Sequence, residues 1–162
     1  ADVVIYARMA ADLLKATPMD RPEDVETNPV NGRVYVMLTN NTQRTEQQVN
    51  RPNPVVRNAH GHVIEIAPKD GDHASTEGTW SIFLVGGRPG IDPGARYHRA
   101  VTENGWLSCV DNCAFDSKGR IWIATDGGYL VGLEIVGEGG TDGFTVDVSD
   151  VNDPSLRVER PS

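Results

Sequence analysis

The chain has 162 residues, a formal net charge of −8 and 38% apolar residues, which is enough for one domain with a buried core. The acidic balance disfavours nucleic acid or anionic lipid as a partner, and no apolar run approaches the ~18 residues of a membrane span. Its 17 glycines and 10 prolines indicate many turns, which favour short strands over long helices. We therefore expect a single, turn-rich domain that attracts cations.

The first predicted elements are a short strand at residues 3–6 and a short helix at residues 7–16, which Pro18 and Pro22 end. From there the chain alternates β-branched and aromatic segments with turns rich in Gly, Asn, Asp and Pro. Strands are predicted at residues 33–38, 61–68, 79–87, 112–116, 120–125, 129–136 and 144–150. Loops are predicted at residues 42–58 and 88–105, which are polar and interrupted by Pro or Gly.

An internal repeat relates two predicted hairpins, "EDVETNPVNGRVYVMLT" (23–39) and "DNCAFDSKGRIWIAT" (111–125). The alignment matches Gly32 with Gly119 in turns that need a positive φ, and Glu23 with Asp111 near the start of each hairpin. Antiparallel repeats of this size are typical of β-propeller blades, which have a period of about 40 to 50 residues.

The predicted fold class is therefore all-β, a partial β-propeller of two to three antiparallel blades with one short N-terminal helix, in a single domain over residues 1–162. A propeller of four or more blades needs more chain than this once the loops are subtracted. The open sheet edges of a partial propeller would require a second chain, an oligomer or further polypeptide to complete the fold. Because the first residue is Ala, we expect a processed chain or a piece of a longer one.

The two cysteines, Cys109 and Cys113, are too far apart for a disulfide if they lie in one strand, because four residues of strand span about 13 Å. The sequence contains no CxxC pair of the kind that indicates a zinc site, so we interpret both cysteines as small buried hydrophobes. The tryptophans Trp80, Trp106 and Trp122 recur at blade-like spacing and are predicted to pack in the core.

Glu23 and Asp111 are the first candidate ligands, because each immediately precedes the first inner strand of its predicted blade. Inner strands of a propeller start around the central channel, so both acids can meet at one cation; the alternative is that they are solvated turn residues. Side chains alternate faces along a strand, so we expect Glu23 to face the channel and Asp24 to cap or bridge a neighbouring blade. Asp20 and Asp126 are candidates for orienting an arginine or a histidine, although Asp126-Gly127 is also a turn signal.

Five segments, in order along the chain, resemble the PhoX-type alkaline phosphatases. They are "ADVVIYARMAADLLKATPMDRPED" (1–24), "VYVMLTNNTQR" (34–44), "NPVVRNAHGHVIEI" (53–66), "GDHA" (71–74) and "DNCAFDSKGRIWIATDG" (111–127). The resemblance implies a β-propeller with an axial site that holds calcium and iron and hydrolyses phosphate monoesters after export from the bacterial cytoplasm. It also implies a periplasmic or extracellular location, and it places this chain in the carboxy-terminal part of such an enzyme. Upstream blades and a cysteine iron ligand would then lie elsewhere, and the isolated chain is expected to be inactive.

The resemblance also suggests the site residues. It makes Glu23, Asp111 and Asp126 the candidate metal ligands. Stabilising the phosphoryl charge needs cations or donors, and the candidates are Arg21, Arg44 and His62, which is preferred over His60. The side-chain amides of Asn40 and Asn41 offer an oxygen to calcium or an N–H to phosphate, or they only shape a turn.

Three functions remain open at this point. The first is a fragment of a calcium- and iron-dependent phosphomonoesterase that acts on a small phosphate ester. The second is a calcium-dependent propeller of the lactonase or esterase type, which would hydrolyse esters without phosphatase activity. The third is a non-catalytic binding module, whose melting temperature and activity would not respond to calcium chelation.

Overall fold

The fold begins with two short helices, α1 (Asp2–Ile5) and α2 (Ala7–Leu13). The structure is a computed structural model, and it describes residues 2–98, 101, 105–126, 130–136 and 140–142. The strand predicted at residues 3–6 is wrong, because most of that segment lies in α1. A short apolar segment is ambiguous between helix and strand, and here no neighbouring strand pairs with it within the described part of the chain. The helix predicted at residues 7–16 is confirmed as the shorter α2.

Within the residues that the structure describes, eight antiparallel strands form two sheets of four strands each. The first sheet has the order β1 (Pro22–Thr27), β2 (Val34–Leu38), β3 (His62–Pro68) and β4 (Gly78–Val85). The second has the order β5 (Val110–Phe115), β6 (Ile121–Thr125), β7 (Leu130–Val136) and β8 (Gly140–Asp142). The short 3₁₀ helices Glu46–Gln48 and Lys69–Gly71 lie between strands of the first sheet. The mostly antiparallel β architecture is confirmed, whereas the strand predicted at residues 144–150 lies outside the described residues.

The internal repeat is present as two hairpins with the same irregularity. In the first hairpin the register passes from Pro22↔Leu38 to Val25↔Val36, and in the second from Val110↔Thr125 to Cys113↔Ile123. In both, the first strand advances by one residue more than the second, which is the signature of a β-bulge. Bulges redirect side chains next to the point where a strand begins, and here that point carries the candidate acids.

The residues just before β1 and β5 share an unusual backbone conformation. Arg21 has φ 47° and Cys109 has φ 56°, in the left-handed region that side chains other than glycine rarely adopt. The Arg21 carbonyl accepts a hydrogen bond from the Thr39 amide at 3.1 Å, and the Cys109 carbonyl accepts one from the Asp126 amide at 3.0 Å. The repeat therefore extends to the ends of the hairpins, two residues beyond its limits in the sequence alignment.

The core draws residues from both sheets. Tyr35, Val63 and Ile123 are fully buried in one apolar cluster, and the Tyr35 ring packs edge-on against Phe83 with the centroids 5.2 Å apart. The core packing predicted for the tryptophans is not observed, because Trp80, Trp106 and Trp122 are only half-buried. Cys109 and Cys113 are free thiols; Cys113 is buried as predicted, but Cys109 is half-buried at the strand end.

Hydrogen bonds join the sheets along β1 and β5. The Cys113 amide donates to Asp24 Oδ2 at 2.8 Å, and Asn28 Nδ2 donates to the Gly119 carbonyl at 3.2 Å. The bridging role predicted for Asp24 is therefore confirmed. The two edge strands lie side by side, which brings the acids at their starts to one end of the molecule.

Among the described residues, no helix is both long enough and apolar enough to span a membrane.

Candidate functional site

The candidate site lies where β1 and β5 begin and where β6 ends. Glu23 is the second residue of β1 and Asp111 the second residue of β5, so neither precedes its strand as the sequence suggested. In each hairpin the acid lies in the bulged stretch between the first paired residue of the strand and the next one. Asp126 follows the last residue of β6. The fold thus brings together three acids and an arginine, Arg21, from distant parts of the chain.

Arg21 links the two sheets through its side chain. Its Nε donates to Glu23 Oε1 at 2.8 Å, and its Nη2 donates to Asp126 Oδ2 at 3.0 Å. The hydrogen bond to Glu23 raises the pKa of the guanidinium, as does the bond to Asp126. About half of the Arg21 side chain is exposed (49%), so the group is held in place and also open to a ligand.

Asp111 lies in the same field of negative charge. Burial raises the pKa of its carboxyl, and the carboxylates of Asp126 and Glu23 raise it further, while Arg21 acts in the opposite direction. A raised pKa means that the ionised form is poorly compensated here. We call Arg21, Glu23, Asp111 and Asp126 the strand-end cluster.

The strand-end cluster fits a hard cation in part. Its three carboxylates offer the oxygen ligands that calcium and ferric iron accept, and they outnumber the single guanidinium, so they leave an excess of negative charge. Across the described residues, however, no group of three His, Cys, Asp or Glu side chains has the spacing to hold a metal ion. The cluster therefore offers part of a ligand set.

Arg44 lies in a second, buried network. The Arg44 guanidinium donates from Nε to Asp20 Oδ1 at 2.6 Å and from Nη1 to the Gln48 carbonyl at 2.7 Å. Only 6% of the Arg44 side chain and 0% of the Asp20 side chain are exposed, so this ion pair is shielded from solvent. Asp20 therefore orients an arginine, as the sequence suggested.

His62 belongs to the same buried network. Its Nε2 donates to the Pro52 carbonyl at 2.8 Å, which leaves Nδ1 to accept a hydrogen bond from Asn58 Nδ2 at 3.1 Å. The Asn58 amide also donates to Asp20 Oδ2 at 3.1 Å. Burial lowers the pKa of the imidazole and so favours its neutral form. The network joins His62 to the Arg44–Asp20 pair, and all of these side chains are buried.

Further polar residues make contacts in the loops around residues 40, 60 and 109, and among them Ser108 was not singled out by the sequence. Asn40 Nδ2 contacts Cys109 Sγ at 3.6 Å, and the Cys109 thiol donates to the Ala59 carbonyl at 3.3 Å. The His60 ring contacts Ser108 Oγ at 2.9 Å. Asn41 accepts the Gln43 amide and so shapes a turn. The loop residues carry no periodic pattern that predicts these contacts, and the repeat in the sequence begins at Asp111, beyond Ser108 and Cys109.

Two antiparallel sheets with an arginine among carboxylates at their shared end define the class as a β-sheet protein with a charged cluster where its sheets meet. Comparison with known proteins agrees with this class. The chain matches the family described as Alkaline phosphatase PhoX over residues 1–153. Among curated proteins, no sequence matches significantly.

The fold is similar to a solved structure of Pseudomonas fluorescens PhoX in complex with vanadate, a transition state analogue. The two chains are 35% identical with a TM-score of 0.76, and the match covers 90% of this chain and 28% of that chain. This chain therefore spans about a quarter of the length of that relative. By the family match and by this similarity, the chain belongs to the PhoX alkaline phosphatase family.

Proposed function

We propose that this chain forms part of a calcium- and iron-dependent phosphomonoesterase and that the strand-end cluster is one wall of its active site. The observation that carries the proposal is the pair of hydrogen bonds by which Glu23 and Asp126 hold Arg21 across the two sheets. An exposed guanidinium fixed between carboxylates is a group prepared to bind an anion with defined geometry.

Arg21 binds the phosphoryl oxygens in this proposal. Its bonds to Glu23 and Asp126 use two of the five N–H donors of a guanidinium, which leaves donors for the substrate. Because the two carboxylates already fix the side chain, little orientation is lost when substrate binds. The guanidinium stabilises negative charge on the phosphoryl oxygens as the bond to the leaving group breaks.

Cations are needed beside Arg21 because the excess of carboxylate at the cluster repels a phosphate ester. Glu23, Asp111 and Asp126 are the residues that would hold calcium and iron with their oxygens. The metals, when bound, neutralise phosphoryl charge and activate an oxygen nucleophile. The Asp111 carboxyl gives up its proton more readily once a cation compensates its charge, so metal and proton compete at this position.

In this proposal Arg44 and His62 have a structural role in the buried network and do not contact the substrate. Their network includes Asn58, whose Oδ1 accepts the Gly61 amide, and Gly61 lies against the backbone at the end of β2. Direct contact with phosphate, which the sequence suggested for both, would require breaking these buried bonds. A buried charged pair that loses one partner is costly, so we assign both residues to positioning.

The two sheets are proposed to be adjacent blades of a propeller that further polypeptide or a second chain completes. Their side-by-side contact through β1 and β5 and the repeated bulge at the strand starts support this arrangement. Additional blades would supply the ligands that the described residues lack. A periplasmic or extracellular location is part of the same proposal, by analogy with the family.

The experiment uses the complete natural polypeptide that contains this sequence. Hydrolysis of p-nitrophenyl phosphate and of p-nitrophenyl acetate is measured before and after chelation, together with the bound calcium and iron. We expect phosphate ester hydrolysis that is lost on chelation and restored by the metals. Acetate hydrolysis without phosphatase activity would instead support a lactonase-type enzyme. The absence of both activities and of bound metal would refute the proposal.

A further inference from the structure

A chain of polar contacts outside the strand-end cluster ends at the hydroxyl of Ser108. The Arg88 guanidinium donates to both carboxylate oxygens of Asp92, at 2.8 and 2.9 Å. Asp92 Oδ2 lies 3.6 Å from His60 Nε2, and the other ring nitrogen, Nδ1, lies 2.9 Å from Ser108 Oγ. The Trp106 ring packs edge-on against the His60 ring, with the centroids 6.1 Å apart.

The contacts determine how the Ser108 hydroxyl is oriented when His60 is neutral. The Asp92 carboxylate favours the tautomer that carries its proton on Nε2, so Nδ1 is an acceptor and the hydroxyl donates to it. The Cys109 thiol donates to the Ala59 carbonyl and does not occupy the serine oxygen. Cys109 Sγ is a weak acceptor 3.7 Å from Ser108 Oγ, so the imidazole is the stronger partner. Half-buried Ser108 therefore presents oxygen lone pairs to a ligand.

The position of Ser108 connects this arrangement to the strand-end cluster. The carbonyl of the next residue, Cys109, accepts the amide of Asp126, and the Asp126 side chain holds Arg21. With paired strands about 5 Å apart and successive Cα atoms 3.8 Å apart, the Cα atoms of Ser108 and Asp126 lie within about 9 Å. A phosphoryl group at Arg21 would therefore place the carbon chain of its alcohol within reach of Ser108.

The geometry points to an alcohol subsite formed by Ser108, His60 and Trp106, which selects phosphomonoesters whose alcohol carries a further hydroxyl group. This inference rests on the proposed phosphomonoesterase function. The substrate hydroxyl donates to Ser108 Oγ, and the half-buried indole of Trp106 lies along the carbon chain. Ser108 is the specificity-determining residue. His60 is a positioning residue: held by Asp92, it keeps the serine oxygen available as an acceptor.

The subsite is tested with two substrates, glycerol 1-phosphate and propyl phosphate, which differ only in their hydroxyl groups. On the complete natural polypeptide we expect kcat/KM to favour glycerol 1-phosphate by about fivefold, the effect of one neutral hydrogen bond. Ser108→Ala should bring the ratio close to one by raising KM for glycerol 1-phosphate alone, whereas Ser108→Thr should keep it. His60→Gln should lower the ratio, and the exposed control His73→Gln should leave it unchanged.

A purely structural role of Ser108 would change both substrates equally, so an unaltered ratio in Ser108→Ala contradicts the subsite. If the wild-type protein hydrolyses neither ester, the proposed function fails and the subsite is tested by binding. Calorimetry should then still give tighter binding of glycerol 1-phosphate than of propyl phosphate in the wild type and equal binding in Ser108→Ala. Equal affinities in the wild type would overturn the subsite by itself.

Discussion

Arg21 donates a hydrogen bond to Asp126 at 3.0 Å although 105 residues separate them in the sequence. Arg21 precedes the first strand of one sheet, and Asp126 follows the second strand of the other. Their contact exists because the two hairpins repeat the same geometry at one end of the fold. The candidate site is therefore a property of the pair of sheets and of neither sheet alone.

Removing the Arg21 guanidinium should weaken vanadate and phosphate binding in the complete polypeptide. A charge-assisted hydrogen bond contributes about 1.5 to 3 kcal/mol, so Arg21→Ala should raise the inhibition constant of vanadate about 10- to 100-fold. Arg21→Lys should recover part of this because it keeps the charge and loses the planar fork. An unchanged inhibition constant in Arg21→Ala would exclude contact between this residue and the phosphoryl group.

Asp111 should reduce stability at neutral pH in the absence of metal. Its folded-state pKa is raised, so ionising it costs more in the folded than in the unfolded chain, and this penalty grows as pH rises through the folded-state pKa. Asp111→Asn should therefore melt at a higher temperature than the wild type at pH 7, and the difference should disappear below pH ~4. Added calcium should stabilise the wild type more than the variant, and the reverse order would contradict a ligand role.

Asp116 provides a control because its pKa is shifted in the opposite direction to that of Asp111. Burial acts to raise its pKa, but the hydrogen bonds from Arg120 and from backbone amides outweigh burial and lower the pKa to about 2. The ionised form therefore stabilises the fold above the ordinary carboxyl pKa, and that stability is lost as pH falls toward 2. Asp116→Asn should lower the melting temperature at pH 7 and have little effect at the lowest pH. Calcium should act equally on this variant and on the wild type.

Breaking the buried ion pair of Arg44 and Asp20 should destabilise the fold strongly. Either Arg44→Met or Asp20→Asn leaves a buried group without its partner, and we expect a loss of about 3 to 5 kcal/mol in denaturant unfolding. The double variant should be less destabilised than the sum of the two single variants, because it leaves no unpaired charge. Additive losses would show that the two charges do not depend on each other.

The bond between Asp24 and the Cys113 amide should stabilise the contact between the two sheets. Asp24→Ala leaves the amide of Cys113 without this acceptor, at a cost of about 1 to 3 kcal/mol. Asp24→Asn keeps one oxygen and should lose less. The effect is read from the free energy of unfolding, and hydrogen exchange of the Cys113 amide should accelerate in Asp24→Ala. Unchanged protection of that amide would contradict the bridging role.

Local chemistry predicted much of the fold. The turns at Gly32 and Gly119 and the repeated apolar strands were readable because hairpins depend on short-range signals. The segment at residues 3–6 was misread because a short apolar run has no decisive period, and its conformation depends on whether a partner strand is near. The bulges were also missed, since one extra unpaired residue leaves no mark in the hydrophobic pattern.

The exposed part of the site could be predicted from the repeat and from the family resemblance, whereas the buried network could not. Matching Glu23 with Asp111 and applying strand alternation separated Glu23, which contacts Arg21, from Asp24, which bridges the sheets. The burial of His62 and Arg44 was not predictable, because it depends on how the intervening loop folds to bring Pro52 and Asp20 against them. Polar residues in loops give no sign in the sequence of which partner will bury them.

The role of the strand-end cluster is tested most directly by kcat/KM for p-nitrophenyl phosphate in the metal-loaded complete polypeptide, compared between the wild type and Glu23→Gln. Glutamine keeps the size of the side chain and removes the charge that holds Arg21 and offers oxygen to a cation. We expect a loss of about a hundredfold or more in Glu23→Gln, with bound calcium or iron reduced and His73→Gln unaffected. Full activity and full metal content in Glu23→Gln would contradict the proposed site.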